Sequence, residues 1–332
     1  MSKPPYSDDQ LILAARLYYQ DGLPQAEIGR FVNVSQAKVS RMLAIARERG
    51  LVRITISDYD PRNPELERRL RDELGVDSVV IRSVAGLKIK DLRQATGYFA
   101  APVVSAWLKS TSVVAIAGGR TLQALIEHMK PAEGVRGLTM AQAMGNIDSS
   151  TGPYDAVELA RTLAHRWQGA FLALNSPAIL PDPDTVEKLL GLAQIRRVME
   201  SFAHSDLAFV GVGSLENSVF LERNVLSPSD IETLRLAGAV GEILGRFYDA
   251  DGKECSTPYQ RRVISLELDR LRVIPKRVAV VTGSDRAEAA LAAIRGGLLN
   301  TIVIDEGGAN SLLKHEAPAS LPDPVGPQSD RA

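Results

Sequence analysis

From Asp77 onward, short apolar runs rich in β-branched residues alternate with longer stretches of helical periodicity, and no other feature of the chain restricts its fold as much. The runs lie at residues 78–81, 112–117, 138–143, 170–174, 207–212, 262–268, 278–281 and 301–304. Amphipathic stretches at 92–108, 122–129, 156–167, 185–201 and 286–294 separate most of them. A strand that is apolar along its whole length must be covered on both faces, and helices crossing between parallel strands supply that cover. The pattern predicts an α/β unit with a mostly parallel sheet, without a fixed-period repeat.

The first residues follow a different rule. Residues 8–20 read as a helix capped by Ser7 or Asp8, with Leu11, Ala14, Ala15 and Tyr18 at helical spacing and Gly22 as the stop. Pro24 sits where a first turn tolerates proline, and 25–31 reads as a short second helix. Residues 32–34 form a tight turn. Ser35 caps a third helix that runs to about Arg49 and ends at Gly50. Residues 51–56 read as a short strand or wing. The polar, proline-containing segment 58–64 reads as a linker, and 65–74 as a short charged helix. The expected organisation is a three-helix unit at 1–57, the linker, an α/β unit at 65–315, and a disordered tail at 316–332 rich in Pro, Ser and Asp.

Composition sets limits on what these units can do. The 332 residues suggest about two domains. Hydrophobic residues at 45% permit a large core, and a net charge of −1 argues against a polycation that coats nucleic acid. Residues 1–53 nevertheless carry eight Lys or Arg against five acids, a local balance of +3. Cys255 is the only cysteine, which excludes an intrachain disulfide and a cysteine-cluster zinc site. His128, His165, His204 and His315 lack metal-ligand spacing. No cofactor is expected. The chain shows neither a signal pattern nor an apolar run of membrane-spanning length, so a cytoplasmic protein is expected.

The segment from Gln25 to Leu43 carries a specific signal. Two short helices crossing steeply need a small residue where they touch, and Gly29 supplies it. The turn needs a residue tolerant of positive φ, which Asn33 is. Ile28, Val34, Val39 and Met42 or Leu43 then point inward. Ser35, Gln36, Ala37, Lys38, Ser40 and Arg41 remain for the cap and outer face of the third helix, where small, polar and basic side chains can reach base edges and phosphates in a major groove. An ordinary helical hairpin has some of these features, but not the whole set. A helix–turn–helix on double-stranded operator DNA is the expectation, and two-fold operators imply a homodimer or homotetramer.

A second signal lies at the ends of the strands. Strand 112–117 runs into Gly118, Gly119, Arg120 and Thr121 at a helix start, where free backbone N–H groups favour an anion. Strand 207–212 ends in Gly211, Val212, Gly213 and Ser214, and strand 138–143 is followed by Met144, Gly145 and Asn146. One such turn is ordinary connection chemistry. Three at strand C-termini point to a ligand site, because open α/β sheets bind ligands along that edge.

With those motifs the chain resembles the SorC/DeoR-type sugar-binding transcriptional regulators, whose effector domain is similar to glucosamine-6-phosphate deaminase and ribose-5-phosphate isomerase. The resemblance runs from about Leu11 to Leu313. Besides the segments above, it rests on the stretch from Gly238 to Asp249 with Asp251 and Gly252, and on Arg295 to Glu306. It implies a regulator of a carbohydrate or polyol operon whose DNA affinity responds to a sugar, polyol or phosphosugar. By position, Gly118, Gly119, Arg120 and Thr121 form the phosphate-side loop, and Gly213, Ser214 and Asp249 line the pocket beside Gly145 and Asn146. Members of the family commonly carry a Lys-Ala pair facing the effector. Here the pair is Arg286-Ala287, and a guanidinium can bind phosphate but cannot form an imine. Asp249 and Arg286 also have plain readings, as a turn residue and as a solvated first-turn charge.

Two rival readings remain. A sugar-phosphate isomerase or deaminase needs a carboxylate or histidine base near its substrate, and no acid–histidine cluster follows the glycine turns. A dinucleotide-binding regulator needs a complete G-x-G-x-x-G opening a βαβ unit, and none is present.

Overall fold

The computed structural model describes residues 6–55, 59–83 and 86–316. The chain divides into two compact units between Asp60 and Pro61.

The first unit is a three-helix arrangement of α1 (Asp8–Tyr19), α2 (Gln25–Phe31) and α3 (Gln36–Glu48). Ser7 and Gln10 form a reciprocal capping box at the start of α1. Leu11, Ala14, Ala15, Ile28, Val39, Met42, Leu43 and Ala46 make its core, and Val34 packs on that core half-buried. The wing expected at 51–56 is not a strand over its described residues 51–55. The amides of Leu51 and Val52 instead donate back to the Ala46 carbonyl at the end of α3, so neither donates to a strand partner.

The second unit is built on the strands β1 (Asp77–Ile81), β2 (Val113–Ile116), β3 (Thr139–Gln142), β4 (Ala170–Leu172), β5 (Leu207–Val210), β6 (Gly213–Ser214), β7 (Gly241–Ile243), β8 (Arg246–Tyr248), β9 (Lys276–Val280) and β10 (Thr301–Asp305). Its helices are α4 (Pro64–Leu74), α5 (Ile89–Ser105), α6 (Arg120–His128), α7 (Ala156–Arg166), α8 (Pro183–Leu190), α9 (Ala193–Ser201), α10 (Val219–Glu222), α11 (Pro228–Leu236), α12 (Leu268–Val273), α13 (Ala287–Arg295) and α14 (Glu306–Glu316). Seven strands form a parallel sheet in the order β1-β10-β9-β5-β2-β3-β4. The strands β6, β7 and β8 form a small antiparallel sheet that the periodicity of the sequence does not disclose. Apolar side chains on the two faces of the main sheet belong to two separate core clusters, as a doubly covered sheet requires.

Two other expectations change. Residues 262–268 do not form a strand: Arg262 closes a 3-10 turn, Leu268 opens α12, and only the stretch between them is free to run as a strand. Val263 and Ser265 make isolated bridges to two different segments, at Ile179 and Met144, so no continuous ladder forms. The expected helix at 185–201 is two helices, α8 and α9, interrupted at Gly191 and Leu192. The linker expected at 58–64 begins outside the described residues, and its second half is anchored. The Asn63 amide donates to the Val80 carbonyl, the Asn63 side chain caps α4, and Pro61 accepts from the Arg82 amide. Of the tail expected at 316–332, Glu316 is the last residue of α14, and 317–332 lie outside the described residues, as does Ile56.

The chain order of the main sheet fixes where a ligand can enter. From β2 the chain moves outward through β3 to β4, then returns to place β5 on the other side of β2 and moves outward again through β9 and β10. The connections leaving β2 and β5 therefore diverge and open a crevice at their carboxyl ends. The helix that follows β2 is held tightly. A Cβ on Gly97 of α5 would lie 2.4 Å from the Ala124 carbonyl group in α6, so glycine alone allows the two helices to approach this closely. Gly97→Ala should lower the urea midpoint of unfolding by the equivalent of about 1–3 kcal/mol or more. An unchanged midpoint would contradict the α5–α6 contact.

Candidate functional site

A cavity of about 100 Å³ occupies the crevice between the ends of β2 and β5. It is lined by backbone and side chains that follow both strands, and by Tyr154, Asp155, Glu242 and Arg286.

Backbone forms the floor. After β2 the chain passes through Gly118 and Gly119 into α6, and Gly119 holds φ 143° and ψ 143°, a conformation that glycine accepts readily. The Gly119 amide donates to the Tyr154 carbonyl at 2.8 Å, which fixes the entry to the helix. A Cβ on Gly211, after β5, would lie 3.1 Å from the Gly118 carbonyl oxygen. The strand ends are thus close enough that side chains would fill the space between them. On the far wall, a Cβ on Gly145 would lie 2.4 Å from the Pro177 carbonyl oxygen. Asn146 is held in place by Gln142, whose buried amide donates to Met144 O and to Asn146 Oδ1 at 3.0 Å while accepting from the Leu174 amide.

The charged lining is uneven. Arg120, Arg93 and Arg286 all border the cavity, reached from α6, α5 and the N-cap of α13. Arg120 makes a two-pronged ion pair with Glu222 at 2.8 and 2.9 Å, with both side chains nearly half exposed. Arg286 pairs with Asp285 at 2.9 Å. Among the described residues Arg93 has no ion-pair partner, and its Nε is buried without a hydrogen-bond partner. Burial holds the Arg93 pKa below its ordinary value, and repulsion from Arg120 and then Arg286 lowers it further.

Two carboxylates face these cations. Asp155 is already committed, since it accepts from both terminal nitrogens of Arg223 at 2.7 and 3.1 Å and from the Gly152 amide at 2.8 Å. Burial opposes the charge on Arg223, but its bonds to Asp155 and Tyr154 outweigh that and raise its pKa. Tyr154 stacks under both Arg120 and Arg223. Glu242, on β7, is buried, and one of its oxygens accepts from the Gly245 amide. A Cβ on Gly213 would lie 2.8 Å from the other oxygen. Burial pushes the Glu242 pKa up from 4.5 to about 7, against the pull of the Gly245 amide and Arg286.

The structure thus brings Gly118, Gly119, Arg120, Thr121, Gly145, Asn146, Gly213 and Arg286 together around one cavity. Ser214 and Asp249 are not in its lining. The Ser214 hydroxyl accepts from the Asn217 amide and shapes the neighbouring turn. Asp249 Oδ1 accepts from the amides of Asp251 and Lys253, so the carboxylate helps close a turn. Residues that sequence reasoning missed are Arg93, Tyr154, Asn217 and Glu242. Glu242 stood inside the quoted Gly238–Asp249 motif without a role, and nothing local in α5 distinguishes Arg93 from a surface charge.

In the first unit, a Cβ on Gly29 would lie 2.7 Å from the Val34 carbonyl oxygen, so the small residue is demanded by the turn. Asn33 has φ 55°, and the Ser35 side chain accepts from the Lys38 amide. Ser35, Gln36, Ala37, Lys38, Ser40 and Arg41 are exposed, while Val39, Met42 and Leu43 face the core. The geometry is a helix–turn–helix with a polar, basic outer face on α3.

These features define a class: an α/β protein with a cavity at a chain-reversal point of its parallel sheet, joined in sequence to a helix–turn–helix unit. A family model described as "Putative sugar-binding domain" matches residues 62–314, and the chain belongs to that family. The Escherichia coli transcriptional regulator YjhU is 28% identical over 323 residues, covering 94% of this chain and 97% of its own. The deoxyribonucleoside regulator of Bacillus subtilis is 26% identical over 302 residues, covering 91% and 96%. The full-length sorbitol operon regulator SorC of Klebsiella pneumoniae has a similar fold, with a TM-score of 0.69 at 24% identity over 92% of this chain and 100% of that one. Among the described residues no helix is long and apolar enough to cross a membrane.

Glu242 makes the site's electrostatics testable. In the fold it stays protonated up to about pH 7, whereas the unfolded chain releases this proton near its ordinary value of 4.5. Stability therefore falls as pH rises through that window. Glu242→Gln, which keeps the shape without the proton, should gain on the parent by up to about 3 kcal/mol between pH 4.5 and 7.5. Urea titrations at both ends of the window check this, and a constant difference would contradict the buried, protonated carboxyl.

Proposed function

We propose that this chain is a DNA-binding transcriptional regulator of a carbohydrate or polyol operon, whose operator affinity is set by a sugar, polyol or phosphosugar in the α/β cavity. The observation that carries the reading is the start of α6. A strand ends in two glycines at the sheet's reversal point, and a nine-residue helix then begins with Arg120 and Thr121 on the cavity wall. Free backbone N–H groups and the positive end of the helix suit an anion, and the polar backbone around it suits hydroxyl groups. The names of the relatives support the regulatory half.

The outer face of α3 takes the DNA. Gln36, at its N-terminal end, reads base edges in this proposal, and Ser35, Ala37, Lys38, Ser40 and Arg41 meet bases and phosphates around it. One recognition helix reads few base pairs, so the working form is a homodimer or homotetramer on a two-fold operator. The effector shifts DNA affinity by favouring one of two arrangements of the assembly, with a coupling of about 1–3 kcal/mol. Such a protein works in the cytoplasm.

Glu242 favours a second reading. A carboxyl poised near neutral pH beside a sugar-sized cavity has the property of a general base in aldose–ketose exchange. Against it, the only other carboxylate of the cavity lining among the described residues, Asp155, is tied to Arg223, and no histidine borders the cavity. The cavity binds its ligand without turnover.

One set of gel shifts tests both halves. Gln36→Ala and Arg41→Ala should each weaken operator binding, by about 1–3 kcal/mol where a base contact is lost and equally on random DNA where only a phosphate contact is lost. Arg120→Glu combined with Thr121→Leu should remove the response to sugar phosphates in a protein whose circular dichroism is unchanged. Operator affinity unaffected in a folded Gln36→Ala, Arg41→Ala double mutant would remove α3 as the reading helix. Turnover of a bound sugar phosphate at about 1 per second or faster would favour the enzyme.

A further inference from the structure

The chain enters its second unit through a short strap, and we propose that two neighbouring acids at the end of β10 latch this strap and make it answer to the loop beside the cavity. The proposal rests on the regulator reading above, because the strap directly follows Asp60, where the first unit ends.

The strap is residues 61–63. It lies antiparallel to β1, the edge strand of the main sheet, with Arg62 bridged to Ile81. The Asn63 amide donates to the Val80 carbonyl, and Pro61 accepts from the Arg82 amide, both at 2.8 Å. The Arg82 side chain donates to the Arg62 carbonyl at 3.0 Å. The Val80 amide, which faces the same way as its carbonyl, donates to the buried Glu67 of α4. Glu67 also holds the Arg62 guanidinium. Strap and α4 together satisfy a sheet edge that would otherwise stand open at Val80.

Two consecutive residues tie this strap to the other side of β10, which lies between β1 and β9. Glu306, the first residue of α14, accepts from the Asn63 side chain at 2.6 Å through one oxygen and from the Ser83 amide at 3.1 Å through the other. Asp305, buried at the end of β10, accepts from the Gly283 amide at 2.7 Å, and its second oxygen accepts from the Gly307 and Gly308 amides. The last two bonds are those of an N-cap, so one carboxylate holds both the first turn of α14 and the loop after β9. The two are packed closely, since a Cβ on Gly308 would lie 2.9 Å from the Gly283 carbonyl oxygen. Three residues after Gly283, Arg286 borders the cavity. A shift of that loop therefore pulls on Asp305, turns the first turn of α14 and draws Glu306 away from Asn63. Hydrogen bonds to a carboxylate are strong when aligned and weaken steeply with angle, so the shift releases the strap rather than stretching it.

Amide exchange resolved by residue, on the full chain, tests the latch without a ligand. Asp305→Asn keeps the α14 cap through its remaining oxygen and loses the Gly283 bond. It should speed exchange at the Asn63 and Arg82 amides about tenfold or more, although neither donates to Asp305, while β2 and β5 keep the parent rates. Asn63→Asp keeps the α4 cap, whose acceptor is Asn63 Oδ1, but turns an acceptor toward Glu306. It should speed exchange at Arg82 and at Gly283 alike, because coupling is reciprocal. Adding Glu306→Gln restores the pair with donor and acceptor exchanged, and should return both amides to the parent rates. Gel shifts on the same variants use a DNA fragment that the parent chain selects from a random pool. Affinity for it should change about fivefold or more in Asn63→Asp and recover in the double variant. Parent rates at Asn63 and Arg82 in a folded Asp305→Asn variant would overturn the latch, and so would no recovery on adding Glu306→Gln. Unchanged DNA affinity across the set would overturn its part in regulation. If the parent chain selects no fragment, the regulator reading fails, and the exchange rates still decide the latch.

Discussion

The site depends on one close approach of backbone to backbone. Gly118 and Gly211 end adjacent strands of a parallel sheet at the point where the chain changes direction, and a methyl group on Gly211 would sit 3.1 Å from the Gly118 carbonyl. Side chains there would fill the crevice that the diverging connections open. Because they are absent, the backbone itself lines the cavity, and the start of α6 is exposed to whatever enters. The packing behind it keeps that helix start in place. Gly97 lets α5 lie against α6, and the Tyr154 carbonyl holds the Gly119 amide.

Electrostatics then decides what such a cavity accepts. Of its two carboxylates, Asp155 is neutralised by Arg223, and Glu242 is buried where ionisation is disfavoured. The arginines keep their charge, and those with partners hold them at partly exposed positions where water competes. An anionic, hydroxyl-bearing ligand would gain both the helix dipole and the guanidinium groups, while a neutral apolar one would leave the buried Arg93 Nε without a partner.

How much of this was legible in the sequence follows from how local each signal is. Continuous apolar strands and the capped helices around Gly29, Asn33 and Ser35 are local patterns with one physical solution each, so the parallel sheet and the helix–turn–helix could be read directly. Turns rich in glycine at strand ends could be read for the same reason. The sequence misled where a residue's role depends on distant segments. Residues 262–268 look like a strand, yet their hydrogen bonds are divided between two other stretches. Arg93 becomes part of the cavity only because α5 packs beside α6, a contact that no pattern within α5 announces. The antiparallel β6-β7-β8 sheet, which presents Glu242, is made of strands two or three residues long, too short for periodicity to register.

The central claim is that a sugar-derived anion seats on the start of α6 and that its binding is felt by the DNA-reading unit. Hydrogen–deuterium exchange, with and without the tightest-binding sugar phosphate, tests it most directly, because it reports backbone amides one segment at a time. The account predicts slowed exchange first at residues 118–122 and 285–289, at ligand concentrations that also change operator affinity. Operator affinity that responds to the ligand while exchange at 118–122 stays the same would contradict it.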